Sequence, residues 1–192
     1  MKRKLFALFT ALTLCAALLA GCGGSSSAGT ASSAPASEAA SEAASGAAEA
    51  RTGAENGAPD LDAAVSALLE ANPISNQFEI AAMNIEYDFG LAAEDVTAYK
   101  GVRSNDNGDA GLVLVIQPAA GKSEAICEQL QTYKQDQVAF YGNYPEFGQA
   151  QANVQNAVIS GRDDLVVMVI ASNESTGDIS GAVDSVMDQY AQ

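Results

Sequence analysis

The chain has 192 residues, with 24 acidic side chains against nine basic ones, no histidine, no tryptophan and three cysteines. That length suits one ordinary domain, or a smaller one with appendages. The lack of histidine excludes Ser-His-Asp triads, Cys-His pairs and His-ligated metals, and a formal net charge of −15 argues against nucleic acid, whose phosphates call for Lys and Arg.

The first segment reads as an address. Lys2, Arg3 and Lys4 form a basic start, and residues 5–19 are an apolar run interrupted only by Thr10 and Thr13. Such a run is long for a strand and short for a spanning helix, as a signal-peptide core is. It ends in Leu19-Ala20-Gly21-Cys22, which resembles the lipobox of bacterial lipoproteins. The resemblance implies cleavage before Cys22 and lipidation of its thiol, so that residues 1–21 are a signal peptide and Cys22 is the membrane anchor. Two acyl chains anchor stably where one is marginal. The expected location is the outer surface of a bacterial cell membrane.

Residues 22–59 then form the lipidated cysteine and a tether of Gly, Ser, Ala and Thr with a few acids. The stretch holds no large apolar side chain, so it has nothing to bury and is expected to be a solvated, disordered linker. Cys15 leaves with the signal and Cys22 takes lipid, which leaves Cys127 alone, with no internal disulfide. Residues 60–192, expected as a single domain, hold twenty acids and five bases. Such a surface favours solubility and keeps the domain off anionic lipid.

Within that domain Asp60 is placed to cap a helix carrying Leu61, Val65, Leu68 and Leu69 on one face, stopped by Asn72-Pro73. Residues 78–91 sustain neither a helical nor a strand period. Residues 96–103 alternate as a strand, residues 104–111 are a turn around Asn-Asp-Asn-Gly-Asp, and residues 112–116 are a continuous apolar strand. A second helix spans about 123–141 with Ile126, Leu130, Tyr133 and Val138 on one stripe. Gly142-Asn143 breaks it, and Pro145 opens a shorter helix with Phe147, Ala150 and Val154. Residues 157–160 and 165–171 read as two more strands, and residues 176–190 as a last helix. The order is ββαββα after an N-terminal helix: an α+β fold with a four-stranded antiparallel sheet. The doubly apolar strands at 112–116 and 165–170 belong at its centre, with the other two as edges. The second and last helices are expected on one face and the N-terminal helix on the other.

Several stretches together resemble a bacterial lipoprotein family catalogued as domain of unknown function 4358. They are the lipobox and tether, the run Gly90-Leu91-Ala92-Ala93-Glu94-Asp95-Val96, residues 130–145, Asn156-Ala157-Val158 and residues 165–171. The resemblance spans roughly residues 60–190. It implies an anchored extracytoplasmic protein and brings no catalytic residues.

Each chemical motif has a plainer reading. Gly121-Lys122-Ser123 lies between a strand and a helix, but a phosphate-binding loop needs glycine where Ile116 stands, so a turn with Ser123 capping a helix is expected. Counting from Asn105 as a calcium loop places Ile116 where a glutamate is required, so a hairpin turn is expected. Asp88-Phe89-Gly90 matches a kinase tripeptide without its catalytic loop. The acid pairs Glu94-Asp95 and Asp163-Asp164 are sequence neighbours that point apart on a strand or mark a turn. No metal or cofactor is expected. Phe140, Tyr141, Tyr144 and Phe147 gather around a helix break, where they either pack onto the core or form a binding surface. The expected function is a non-enzymatic binding or accessory module with a protein or wall-polymer partner. The alternative is an envelope enzyme using carboxylate or Tyr/Lys chemistry, with two acids converging in a cleft.

Overall fold

The computed structural model describes residues 57–191. The expected signal peptide, Cys22 and the greater part of the expected tether lie outside the described residues. Helix α1, Leu61–Ala71, begins where Asp60 accepts a hydrogen bond from the Ala63 amide at 3.0 Å. Leu61, Ala64, Val65 and Leu68 recur at helical spacing and are buried. The helix ends at Asn72, whose amide donates to the Leu68 carbonyl, and Pro73 prevents it from continuing.

The ambiguous stretch from 78 to 91 resolves into two short pieces. Strand β1, Gln77–Glu79, is followed by a π-helical turn at Asn84–Asp88. In that turn the Phe89 amide donates to the carbonyl of Asn84, five residues earlier. A wide turn of this kind matches neither the 3.6-residue nor the two-residue period, so the apolar pattern there is irregular although Ile80, Ile85, Phe89 and Leu91 are all buried.

Strands β2 (Val96–Ser104) and β3 (Leu112–Pro118) form a hairpin. Helix α2 (Ser123–Gly142), a single 3₁₀ turn at Pro145–Phe147 and helix α3 (Gly148–Gln155) lead to β4 (Val158–Arg162). Strand β5 (Leu165–Ile170) and helix α4 (Ile179–Tyr190) complete the fold. The sheet runs β1-β2-β3-β5-β4, antiparallel at every pairing. It therefore has five strands rather than four. The three-residue β1 occupies the edge expected for β2, pairing Gln77 with Ser104 and Glu79 with Val102. Strand β1 is too short and too polar to show a strand period. The order of the other four strands is as expected, with β3 and β5 buried on both faces at the centre.

The helices divide differently from expectation. Helices α1 and α4 share one face, over Val113, Val115, Leu165, Val167 and Val169. Helices α2 and α3 take the other, over Leu112, Leu114, Ile116, Val166, Met168 and Ile170. Because β3 and β5 are apolar on both sides, their pattern does not say which helix covers which face. Long-range polar ties hold α4's approach to α1. The Asn72 side chain donates to the Ile170 carbonyl at 2.9 Å and accepts from the Ser172 amide at 2.8 Å. The hydroxyls of Ser172 and Ser175 donate to the carbonyls of Pro73 and Ala71. These bonds turn the chain leaving β5 onto the α1 face. Asp178 then caps α4 by accepting from the Gly181 amide.

Ser123 is the first residue of α2 and makes no capping bond. The start of that helix is tied instead through Lys122, whose amide donates to the Ala119 carbonyl and whose ammonium pairs with Asp95 at 2.8 Å. Gly121 supplies the left-handed turn before it, at φ 74°.

Candidate functional site, a polar groove beside an aromatic cluster

The C-terminal end of α2 carries Phe140 and Tyr141, and the break after it carries Tyr144 and Phe147. These four side chains form one connected cluster. Ring centroids lie 5.2 Å apart for Phe140–Tyr141, 5.4 Å for Phe140–Tyr144, 5.6 Å for Tyr144–Phe147 and 6.1 Å for Tyr141–Phe147. The contacts are tilted or edge-on, the arrangement that ring quadrupoles favour. The cluster is only partly spent on packing: Tyr141 joins the core margin, while Phe140 is 49% and Tyr144 41% exposed.

Beside it lies a groove of about 420 Å³. One wall is the β2–β3 hairpin from Arg103 through Ala110; the other is Tyr133, Gln137, Phe140 and Tyr141 on α2, closed by Phe147. Tyr144, the fourth residue singled out in the sequence, supports Phe140 and Phe147 from outside the groove. The structure thus joins two features that the sequence presents separately, the aromatic helix break and the Asn-Asp-Asn-Gly-Asp turn.

The hairpin wall is held from behind. Ser104 and Asn105 donate their amides to Gly111 and Asn76, and the Asn76 side chain donates to Asp106. The Asp109 carboxylate accepts from the amides of Gly111 and Asn173. Asn173 also donates to the Gly108 carbonyl and accepts from Asn153, which in turn accepts from Gln149 on α3. Gly108 has φ 78°, and a Cβ there would stand 2.8 Å from the Phe147 ring. Only glycine suits both the backbone and this approach. Both carboxylates of the groove are therefore engaged in holding the loop.

Arg103 is the groove's cation. Its guanidinium bonds Asp88 at 2.9 Å and lies 5.0 Å from the Phe78 ring centroid. Asp88 accepts from Asn84 as well, so the aspartate of the kinase-like tripeptide serves to orient Arg103. Burial pushes the Tyr133 phenol up to about 12, against the pull of nearby Arg103. Burial also raises Tyr141, with the Asp109 carboxylate adding to the shift. Both phenols stay neutral near pH 7 and offer O–H groups that donate and accept.

Sequence reasoning missed Arg103, Tyr133 and Gln137 as groove residues. The available signal is the spacing of Tyr133, Gln137, Phe140 and Tyr141, one helical stripe mixing aromatic and amide groups, in which Tyr133 also falls on the apolar stripe of α2. Among the other sequence-based candidates, Asp95 is paired with Lys122, and Asp163 and Asp164 sit at the tight connection between β4 and β5. Cys127 is half-buried, and burial raises its thiol. Among the described residues no group of three His, Cys, Asp or Glu side chains is placed to hold a metal ion, and no helix is long and apolar enough to cross a membrane.

The family model described as Domain of unknown function (DUF4358) matches residues 71–171, more than half of the chain. The chain belongs to this family. The match is narrower than the span of about 60–190 suggested by the sequence; it contains all five strands, α2, α3 and every residue of the groove, and leaves α4 and nearly all of α1 outside. No curated protein and no solved structure matches the chain.

Proposed function

We propose that this member of the DUF4358 family is a lipid-anchored extracytoplasmic lipoprotein whose domain is a non-enzymatic binding module, with the groove beside Phe140 as its recognition site. The observation that carries the binding reading is the joining of exposed aromatic rings to a concave polar wall. Recognition sites combine apolar contact area with a few placed polar groups, and volumes of about 300–1,000 Å³ are usual for them. The engagement of Asp106 and Asp109 in loop hydrogen bonds favours a positioning role over proton transfer for these acids. The lipobox-like Leu19-Ala20-Gly21-Cys22 supports the anchor, and the low-complexity tether would lift the domain off the headgroups.

In-cell cross-linking of the anchored protein, followed by affinity purification, tests the reading. Cys22→Ala is the unanchored control. A cross-linked species that depends on Phe140 and diminishes with Cys22→Ala is the expected result. Release of unmodified protein into the medium from cells carrying native Cys22 would overturn the anchor, and cross-linking indifferent to Phe140→Ala would overturn the site.

A further inference from the structure

We propose that the groove binds a non-anionic saccharide of about disaccharide size, with Phe140 under a sugar ring and the hairpin amides on its hydroxyls; this deepens the binding reading above and rests on it. Three features of the groove converge on that chemistry. The first is a division of labour among its polar groups. Asp106 and Asp109 are used to hold the loop, whereas the side-chain amides of Asn105, Asn107 and Gln137 and the hydroxyls of Tyr133 and Tyr141 make no hydrogen bond to the described residues. Each of these unpaired groups both donates and accepts, as sugar hydroxyls do.

The second feature is the aromatic surface. Phe140 is half exposed at the groove although its ring is braced by Tyr141 and Tyr144. A braced ring offers a flat apolar surface with little ordering cost on binding. The C–H groups on one face of a pyranose carry slight positive charge and lie favourably on such a ring.

The third is charge. The groove has two carboxylates and one guanidinium, and that guanidinium is already paired with Asp88. Around it the domain carries twenty acids against five bases. Phosphate, sulfate or uronate groups would be repelled. A protein partner is the less favoured occupant, because a stable protein interface needs about 1,000 Å² or more with an apolar centre, whereas this groove is small, at about 420 Å³, and its lining largely polar.

The test is titration of the full chain, in detergent micelles, with N,N′-diacetylchitobiose and cellobiose as neutral probes and a sulfated disaccharide as the anionic one. Binding is followed by calorimetry and by saturation transfer from protein to sugar protons. The expected result is saturable binding of at least one neutral probe and none of the sulfated one. Phe140→Ala should weaken that binding about tenfold and Phe140→Tyr should preserve it. Asn107→Ala, at an exposed loop position, provides a second variant and should also weaken it severalfold. Tighter binding of the sulfated probe, or neutral-sugar binding untouched by both Phe140→Ala and Asn107→Ala, would overturn the proposal. Failure of all sugars would overturn the saccharide assignment; if Phe140-dependent cross-linking in cells then persists, the binding reading survives with a protein occupant, and if that is lost too, both fall.

Discussion

At Phe140 and Leu130, ten residues apart on one helix, the same apolar chemistry does two different jobs. Leu130 is fully buried against the sheet and Phe140 is half exposed beside the groove. Leu130→Ala should therefore cost about 2–5 kcal/mol of stability in a urea unfolding curve, while Phe140→Ala should cost less than about 1 kcal/mol and act on binding. Gly108→Ala should be destabilising by about 1–3 kcal/mol, because φ 78° is strained for alanine and the new methyl meets Phe147. Loss of near-ultraviolet circular dichroism from the aromatic cluster would report the displaced ring.

Tyr133 supplies a pH prediction at the same scale. Its folded phenol titrates near 12, against about 10 for the free side chain. Between those values the unfolded chain sheds the proton and the folded chain keeps it, so stability falls as pH rises from about 10 to about 12. Tyr133→Phe should show a shallower loss than the wild type when urea midpoints at pH 8 and pH 11 are compared. Equal losses would mean that the Tyr133 phenol is not held back by burial.

At the scale of elements, the fold depends on how ends are tied. Asn72 ends α1 and pins the end of β5 through both functions of its buried amide. Asn72→Ala leaves the Ile170 carbonyl and the Ser172 amide without that partner, and should cost about 2–3 kcal/mol. Asp60→Ala removes one helix cap at the surface and should cost about 1 kcal/mol. Thermal unfolding of the two variants separates these cases, and a larger loss for Asp60→Ala would contradict this ranking. The same ties explain why the helix layers were illegible in the sequence. Residues 112–116 of β3 and all of β5 are apolar at every inward and outward position, so neither face was marked for a particular helix. The decision lay in bonds about a hundred residues apart in sequence, between the end of α1 and the chain leaving β5.

For the whole molecule, the two-sided sheet makes both helical layers necessary. The family match ends at residue 171, before α4. A chain truncated there would uncover much of the face that holds Val167 and Val169. It should lose cooperative unfolding and bind a hydrophobic dye, whereas cooperative melting of that truncation would show that α4 is dispensable. The fold class and the central strand pair were legible because long apolar runs and helical stripes are local signals. The fifth strand was not, because three residues contain less than a full alternation.

The amino-acid sequence by itself determined the absence of histidine chemistry, the acidity of the domain and, among the described residues, four of the five strands and all four α-helices. It also marked both halves of the groove, as an aromatic helix break and as an Asn-rich turn, each visible in its own composition. Only the tertiary structure decided that these halves face one another, that Tyr133 and Gln137 belong with them, and which helices share a face. Composition and periodicity report on neighbours along the chain, whereas a groove is made by segments that hydrogen bonds and packing bring together across it.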